Sequence, residues 1–293
     1  MAPYRFLKGE VTPMRLGGPI FKKWNGPEEW AAAVRAQGYR AAYCPLPETA
    51  DDATVRAFAE AAAQADVVIA EVGAWSNPLS PNEETARAAL RLCQERLALA
   101  DRIGARCCVN IAGSRGEQWD GHDPRNLTEE TFDRIVDCVR EIIDAVKPTR
   151  TCYSLETMPW MYPNSVASYE RLLRAIDRPT FAVHFDPVNL VCSPELYYST
   201  GALIRDFVER LGPQIKSCHA KDILLSGRLT THLDETRPGQ GGLDYRAFLG
   251  AVATLHPDTP VMLEHLPDEA EYAAAAVHVR TVAGELGLNL DES

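Results

Sequence analysis

The chain has 293 residues, 46% of them hydrophobic and 24% charged, with a formal net charge of -11. These values match a soluble globular protein of one large α/β domain or two smaller ones. The acidic balance opposes nucleic-acid phosphates and anionic lipid, and no uncharged apolar run approaches the roughly 20 residues of a membrane helix. Residues 4 to 16 read as a first strand, limited by Pro13. Residues 25 to 38 read as a helix, with Pro27 near its first turn and Gly38 at its end. A second strand spans 39 to 46, stopped by Pro45 and Pro47, and an Ala-rich helix covers 51 to 66. Residues 67 to 75 form a third strand that opens on β-branched residues. The clearest helix covers 80 to 104, with Ser80 and Glu83 as a capping box, Pro81 in the first helical position and Gly104 closing it. A fourth strand, 105 to 113, leads into a polar loop, 114 to 126, long enough to cover an active site. Helix 128 to 148 has acidic residues in its first turn and Lys147 in its last.

Four short apolar runs follow, at 151 to 158, 181 to 189, 215 to 223 and 260 to 266. Helical segments at 165 to 176, 194 to 212, 243 to 255 and 268 to 287 separate and follow them. Eight strands alternating with eight helices predict an α/β fold, a closed (β/α)₈ TIM barrel, which usually takes about 250 residues. An open doubly wound sheet is the alternative, but no G-x-G-x-x-G follows an early strand. No linker or internal repeat divides the chain, so residues 1–293 are expected to form a single domain.

Each of the four runs carries one candidate metal ligand toward its C-terminal end: Glu156, Asp186, His219 and Glu264. A parallel barrel gathers the C-terminal ends of its strands at one face. Three carboxylates and an imidazole there suit one divalent cation. Buried acids are costly without a partner, so these strand acids call for a cation or for separate ion pairs with Lys or Arg. Alternation along a strand places His184 on the side of Asp186 and Lys221 on the side of His219, and turns His265 toward the helices. His184 reads as a satisfied core histidine. Lys221 pairs with a ligand carboxylate or polarises a substrate oxygen. Glu71 and Trp75 share a face of the third strand, and Trp75, Trp119, Trp160 and Tyr162 make an aromatic mouth. Arg115 and Arg237, in loops at the same face, are candidates for an anionic group. The eight cysteines include no C-x-x-C pair and fit reduced core residues of a cytoplasmic protein. The N-terminus lacks the apolar core of a signal peptide.

The ordered set Glu, Asp, His, Glu resembles the xylose isomerase-like barrel superfamily, especially its sugar phosphate isomerase/epimerase branch. The likeness covers nearly the whole chain. His-Ala-Lys-Asp at 219 to 222 is similar to that branch's His-x-Lys-Asp signature, and 238 to 249 to its Gly-rich loop. The resemblance implies that Glu156, Asp186, His219 and Glu264 hold one metal ion, Mn²⁺ first and Mg²⁺, Co²⁺ or Zn²⁺ after it. It further implies that Glu156 and Glu264 are catalytic. Asn189 stands where ketose 3-epimerases of this kind carry a histidine; an Asn there hydrogen-bonds a substrate hydroxyl but does not titrate. Substrate contacts are therefore expected from Asn189, Lys221, Trp75, Arg115 and Arg237. The metal would act as a Lewis acid on a carbonyl and its neighbouring hydroxyl, and the two Glu would pass a proton through an enediolate. The expected activity is a metal-dependent isomerase or epimerase of a sugar or keto-sugar. The alternative is a lyase on the same scaffold, a dehydratase of a cyclic keto-polyol or the catalytic subunit of a C-glycoside deglycosidase. The expected partner is a carbohydrate or its conjugate. A homo-oligomer is compatible with this reading, as is a small second subunit for the lyase.

Overall fold

The computed structural model describes residues 14–290, and its parallel strands close into an eight-stranded barrel. In chain order the strands are β1 (Arg15–Gly17), β2 (Ala41–Tyr43), β3 (Val68–Gly73), β4 (Cys107–Asn110), β5 (Tyr153–Glu156), β6 (Phe181–Phe185) and β7 (Ile215–Ala220). A hairpin of β8 (Asp222–Leu225) and β9 (Leu233–Thr236) precedes the last barrel strand, β10 (Pro260–Leu263), which pairs with both β7 and β1. The expected first strand is present only from Arg15, and residues 4 to 13 of that expectation lie outside the described residues.

The helices are α1 (Pro27–Ala36), α2 (Asp52–Gln64), α3 (Glu83–Ile103), α4 (Glu129–Val146), α5 (Val166–Ile176), α6 (Pro194–Tyr197), α7 (Thr200–Leu211), α8 (Tyr245–Val252) and α9 (Glu269–Glu285). Helix α4 shows why they lie where they do. Its buried residues Phe132, Ile135, Val136, Val139, Ile142 and Ile143 recur at helical spacing and form one apolar stripe. Thr128 caps its start, accepting from the Thr131 N–H, a contact of about 1 kcal/mol. Lys147 is the left-handed C-cap of α4 and lies outside its last turn. Along α3 the expected capping box is absent. Asn82 is the cap and accepts from the Thr85 N–H, while the Ser80 hydroxyl accepts from Asn82 N; the helix starts after Pro81. The segment read as one helix over 194 to 212 is two, α6 and α7, broken at Ser199.

Most buried apolar side chains form one cluster, which includes residues of the strands and of the helices around them. A small separate cluster of Ala41, Ala70 and Met262, with Tyr43 against it, packs below the strand ends. Met262 lies two residues before Glu264 and so on the same side of the chain. All eight cysteines are free thiols; Cys93, Cys107, Cys108 and Cys218 are buried, whereas Cys192 is exposed and is no core residue. No helix among the described residues is long and apolar enough to cross a membrane.

Candidate metal centre and substrate cavity

The C-terminal ends of β5, β6, β7 and β10 converge. Glu156 is the last residue of β5, Asp186 and Glu264 directly follow β6 and β10, and His219 is the penultimate residue of β7. One donor atom from each of the four falls within 4.8 Å of the others. His219 Nδ1 lies 2.9 Å from Glu264 Oε2, 3.0 Å from Glu156 Oε1 and 3.7 Å from Asp186 Oδ2. Neighbouring backbone aims Asp186. The Thr157 hydroxyl donates to the Asp186 carbonyl at 2.8 Å and ties the end of β5 to that of β6. Asp186 Oδ1 accepts from the Val188 and Asn189 N–H groups at 2.9 and 3.2 Å, which leaves Oδ2 for the centre.

The fourth residue is oriented by a partner that the sequence reading left in its strand. Glu71, on β3, is buried inside the barrel, where it meets His219 Nε2 at 3.3 Å, His184 Nε2 at 2.9 Å and the Ser217 hydroxyl. His219 therefore presents Nδ1 to the three carboxylates, with Glu71 on its other nitrogen. A ligating histidine held in this way keeps its tautomer and ring orientation and is a stronger donor. Loss of such a partner typically weakens metal binding about 10- to 100-fold. That loss is expected for Glu71→Gln in a calorimetric metal titration, with the far-UV spectrum unchanged. Wild-type affinity in the variant would remove Glu71 from the site.

Lys221, 1% exposed, places its ammonium 2.7 Å from Asp186 Oδ2, 3.1 Å from Glu264 Oε2 and 3.9 Å from Glu156 Oε1. Burial opposes this ammonium, but Asp186, Glu264 and Glu156 outweigh it and push its pKa well above the usual lysine value. Burial likewise opposes a charged His219, and Glu264, Glu156 and Glu71 overcome it. The acids diverge. Burial raises Glu156 above the ordinary carboxylate value despite His219 and Lys221 beside it. Glu264 feels the same burial, but His219 and Lys221 hold it at about 2. Asp186 Oδ2 and Glu264 Oε2 are buried and lie at ion-pair distance from Lys221, yet neither takes a well-directed hydrogen bond. Two under-satisfied oxygens and an imidazole nitrogen within reach of a third carboxylate fit a divalent cation. With a divalent ion at Nδ1 in place of the proton that these acids favour there, His219 would be neutral, and the three carboxylates of the centre would be matched by that ion and the Lys221 ammonium.

Above the centre opens a cavity of about 470 Å³ lined by Glu156, Glu264, Asn189 and Lys221, with Trp75, Trp119 and Trp160 among its apolar walls. Asp186 and His219 are fully buried and do not line it. Asn189 Nδ2 donates to Glu156 Oε1 at 3.2 Å. The Trp75 indole lies back against Gly73, where a Cβ would collide with its Nε1. Trp160 Nε1 donates to the Asp120 carbonyl at 2.8 Å, which joins the loop after β5 to the loop after β4. Tyr162 instead donates to the Leu127 carbonyl and packs edge-on against Phe132, so it is not part of the mouth.

Neither loop arginine reaches this cavity. The Arg115 guanidinium is turned to Thr131 and Glu130 at the start of α4, at 3.0 and 3.4 Å, where it fixes the 114 to 126 loop. Arg237 Nε lies at ion-pair distance, 2.9 Å, from Glu271 Oε2 of α9. Their expected contact with substrate is corrected accordingly: both cations are spent on neighbouring carboxylates. His265 also departs from alternation. Its φ of 55° is left-handed, which turns the ring to the mouth, 3.2 Å from Glu235 Oε1. Glu235 arrives on β9 of the unforeseen hairpin and lines the cavity as well. Behind the hairpin, the buried Asp222 carboxylate accepts from the N–H groups of Gly239, Gly241 and Leu243 at 2.9, 3.0 and 2.9 Å. The Gly-rich loop is therefore wrapped around Asp222; a Cβ on Gly241 would strike that carboxylate and the Ile223 carbonyl.

The family described as xylose isomerase-like TIM barrel matches residues 31–282. The chain belongs to that family. No curated protein sequence matches it. Among solved structures, an L-ribulose 3-epimerase is similar at a TM-score of 0.67 and 16% identity, covering 94% of both chains. The 3-keto-D-glucoside 4-epimerase of E. coli aligns at a TM-score of 0.63 and 13% identity, covering 92% of this chain and 99% of that one. A xylose isomerase-like TIM barrel protein from Mycobacterium smegmatis in complex with magnesium aligns at 0.64 and 16% identity, covering 94% and 96%. At such identities the likeness shows the shared barrel and leaves the chemistry to the site.

Proposed function

We propose that this xylose isomerase-like barrel is a divalent-metal-dependent isomerase or epimerase of a sugar or keto-sugar. The observation that carries the reading is the division of labour among the four converging residues. Asp186 and His219 are sealed beneath the cavity, whereas Glu156 and Glu264 border it from strands three places apart around the ring of eight. A cation held by all four, Mn²⁺ in the first instance, supplies Lewis acidity to a substrate carbonyl and its neighbouring hydroxyl. Glu264, held ionised, suits removal of the proton beside the carbonyl. Glu156, three strands away around the ring, suits return of a proton from the other side. Return to the same carbon from the opposite face epimerises it, and return to the neighbouring carbon isomerises the sugar. Asn189 steadies Glu156 and offers its amide to a substrate hydroxyl, and the indoles restrict water at the mouth. The epimerases among the similar structures and the magnesium-bound barrel support this reading.

The test is incubation of Mn²⁺-loaded protein with a panel of keto-sugars in deuterated water, read by NMR. Deuterium is expected at the carbon beside the carbonyl of at least one sugar, even where net conversion is small. No uptake from any of them by a protein shown to carry the metal would overturn the reading.

A further inference from the structure

The metal centre lies at the C-terminal ends of the strands, and a separate cavity of about 280 Å³ opens at their opposite ends. Arg106 lines it from just before β4, Thr151 and Cys152 from just before β5, Thr180 from just before β6, and Lys216 from the second position of β7. Thr151 stands five residues before Glu156, which at about 3.3 Å per residue sets the two sites roughly 16 Å apart along β5. Arg150 borders the cavity as well. Its N–H and that of Thr149 donate to Asp101 Oδ1 at 2.6 and 2.7 Å, and its Nη1 donates to the Arg102 carbonyl at 3.1 Å. Its guanidinium lies over Gly104, the left-handed C-cap of α3, where a Cβ would meet Nη2 at 2.6 Å.

Three cations therefore border one small cavity that has no acidic lining residue among those described. Arginines elsewhere, such as Arg102, Arg178 and Arg210, each take a carboxylate, but among the described residues none of Arg106, Arg150 and Lys216 has one at ion-pair distance. Two buried polar atoms of the same lining also lack a hydrogen-bond partner among the described residues: Arg106 Nε and the hydroxyl of Thr151, a residue only 5% exposed. Buried polar groups are nearly always paired, so two orphans beside unneutralised cations point to a ligand. The local field agrees. Burial raises the Cys152 thiol, and Lys216 and Arg106 pull against it. Burial lowers His256, and Arg106 adds to this more than Asp258 opposes it. Size and charge narrow the ligand. Pockets for drug-sized molecules run from roughly 300 to 1,000 Å³, so this one suits a small anion with few further atoms. The net charge of -11 opposes a nucleic-acid backbone. A dianion is attracted to several cations more strongly than a singly charged carboxylate. Its oxygens also accept from hydroxyls placed beside Arg and Lys.

We infer that this cavity binds a phosphate group, as inorganic phosphate or as the phosphoryl end of a small phosphomonoester, at the face of the barrel opposite the metal centre. Arg106 and Lys216 supply the charge, and Thr151 and Thr180 donate hydroxyls. The site is independent of the proposed metal chemistry, since it uses neither the cation nor any of its four ligands.

The experiment is calorimetric titration of the full-length protein, dialysed free of metal so that no phosphate binds through a cation. The probes are inorganic phosphate, glycerol 3-phosphate and acetate at about pH 8, where the phosphates are dianions. One-to-one binding of at least one phosphate is expected, with a dissociation constant below about 1 mM and roughly tenfold or more tighter than acetate. Arg106→Gln and Lys216→Gln should each weaken it by about tenfold or more, the amount typical of one charge-assisted hydrogen bond. Lys216→Arg should keep most of the affinity. Arg228→Gln removes an exposed charge from the loop between β8 and β9 and should change the affinity less than about twofold, because that charge is distant and screened. Unfolding midpoints without phosphate show which variants are folded, and Lys216→Gln carries the test if Arg106→Gln is not. Tighter binding of glycerol 3-phosphate assigns the site to a phosphorylated metabolite, and tighter binding of inorganic phosphate assigns it to the free ion. No saturable phosphate binding, equal affinity for acetate, full affinity in either folded Gln variant, or an equal loss in Arg228→Gln would overturn the inference.

Discussion

Fully metal-loaded Glu156→Gln and Glu264→Gln proteins will exchange substrate protons about 10² to 10⁴-fold more slowly than the parent, the range typical for removal of a general acid or base. An amide is a neutral, poorer ligand and cannot accept a proton near neutral pH, so both metal affinity and chemistry suffer. Elemental analysis at matched loading separates the two effects. His219→Ala gives the contrast. His219 is fully buried, does not border the cavity and offers only Nδ1 to the carboxylates. Its loss should act through weaker metal binding, so excess Mn²⁺ should restore part of its activity. Neither Gln variant should recover in the same titration. Wild-type exchange by a loaded Glu156→Gln or Glu264→Gln protein would reduce that Glu to a ligand. The base would then have to be sought at Lys221 or elsewhere at the cavity wall.

Lys221→Met should have the largest effect on stability. Its ammonium is buried against Asp186, Glu264 and Glu156, with Glu235 at 3.7 Å. Removal of one partner from a buried ion pair typically costs about 3–5 kcal/mol, because the remaining charge is left uncompensated. A divalent cation neutralises the same oxygens. The variant should therefore unfold at markedly lower urea than the parent in chelator, and come much closer to it in saturating Mn²⁺. Thermodynamic linkage then requires tighter metal binding by the variant, tenfold for every 1.4 kcal/mol of stability that the metal restores. Unfolding curves with and without metal, together with a metal titration, close the cycle. An equal loss of stability in both conditions would show that Lys221 and the cation do not share ligands.

The parts of this protein legible from its sequence are those set by local pattern. Helical spacing in segments such as 128 to 148, and short apolar runs between them, are consequences of burying one face of an element. They were sufficient for the closed barrel that the structure shows. Glu156, Asp186, His219 and Glu264 stood out because an acid or imidazole near the end of an apolar run is locally anomalous, and the closed barrel brings one donor atom of each within 4.8 Å of the others. Boundaries were less legible. Ser80 read as the cap of α3, whereas Asn82 is the cap, because its side chain is the one that reaches the free Thr85 N–H.

Tertiary structure alone decided the relationships across the barrel. Glu71 reaches His219 Nε2 over a separation of 148 residues, and no local spacing announces a contact that depends on β3 facing β7 across the closed ring. The same closure divides the quartet, with two members under the cavity and two at its edge. Arg115 and Arg237 show the limit from the other side. A loop arginine at the catalytic face is compatible with an anion site, but its long side chain takes the nearest carboxylate that folding supplies, here Glu130 and Glu271. The hairpin of β8 and β9 brings Glu235 to the mouth, and one left-handed residue turns His265 to meet it. Strand periodicity assigns a side chain to a face only while the backbone remains extended; beyond the strand ends, where the cavity wall is built, backbone turns and long-range packing choose the direction.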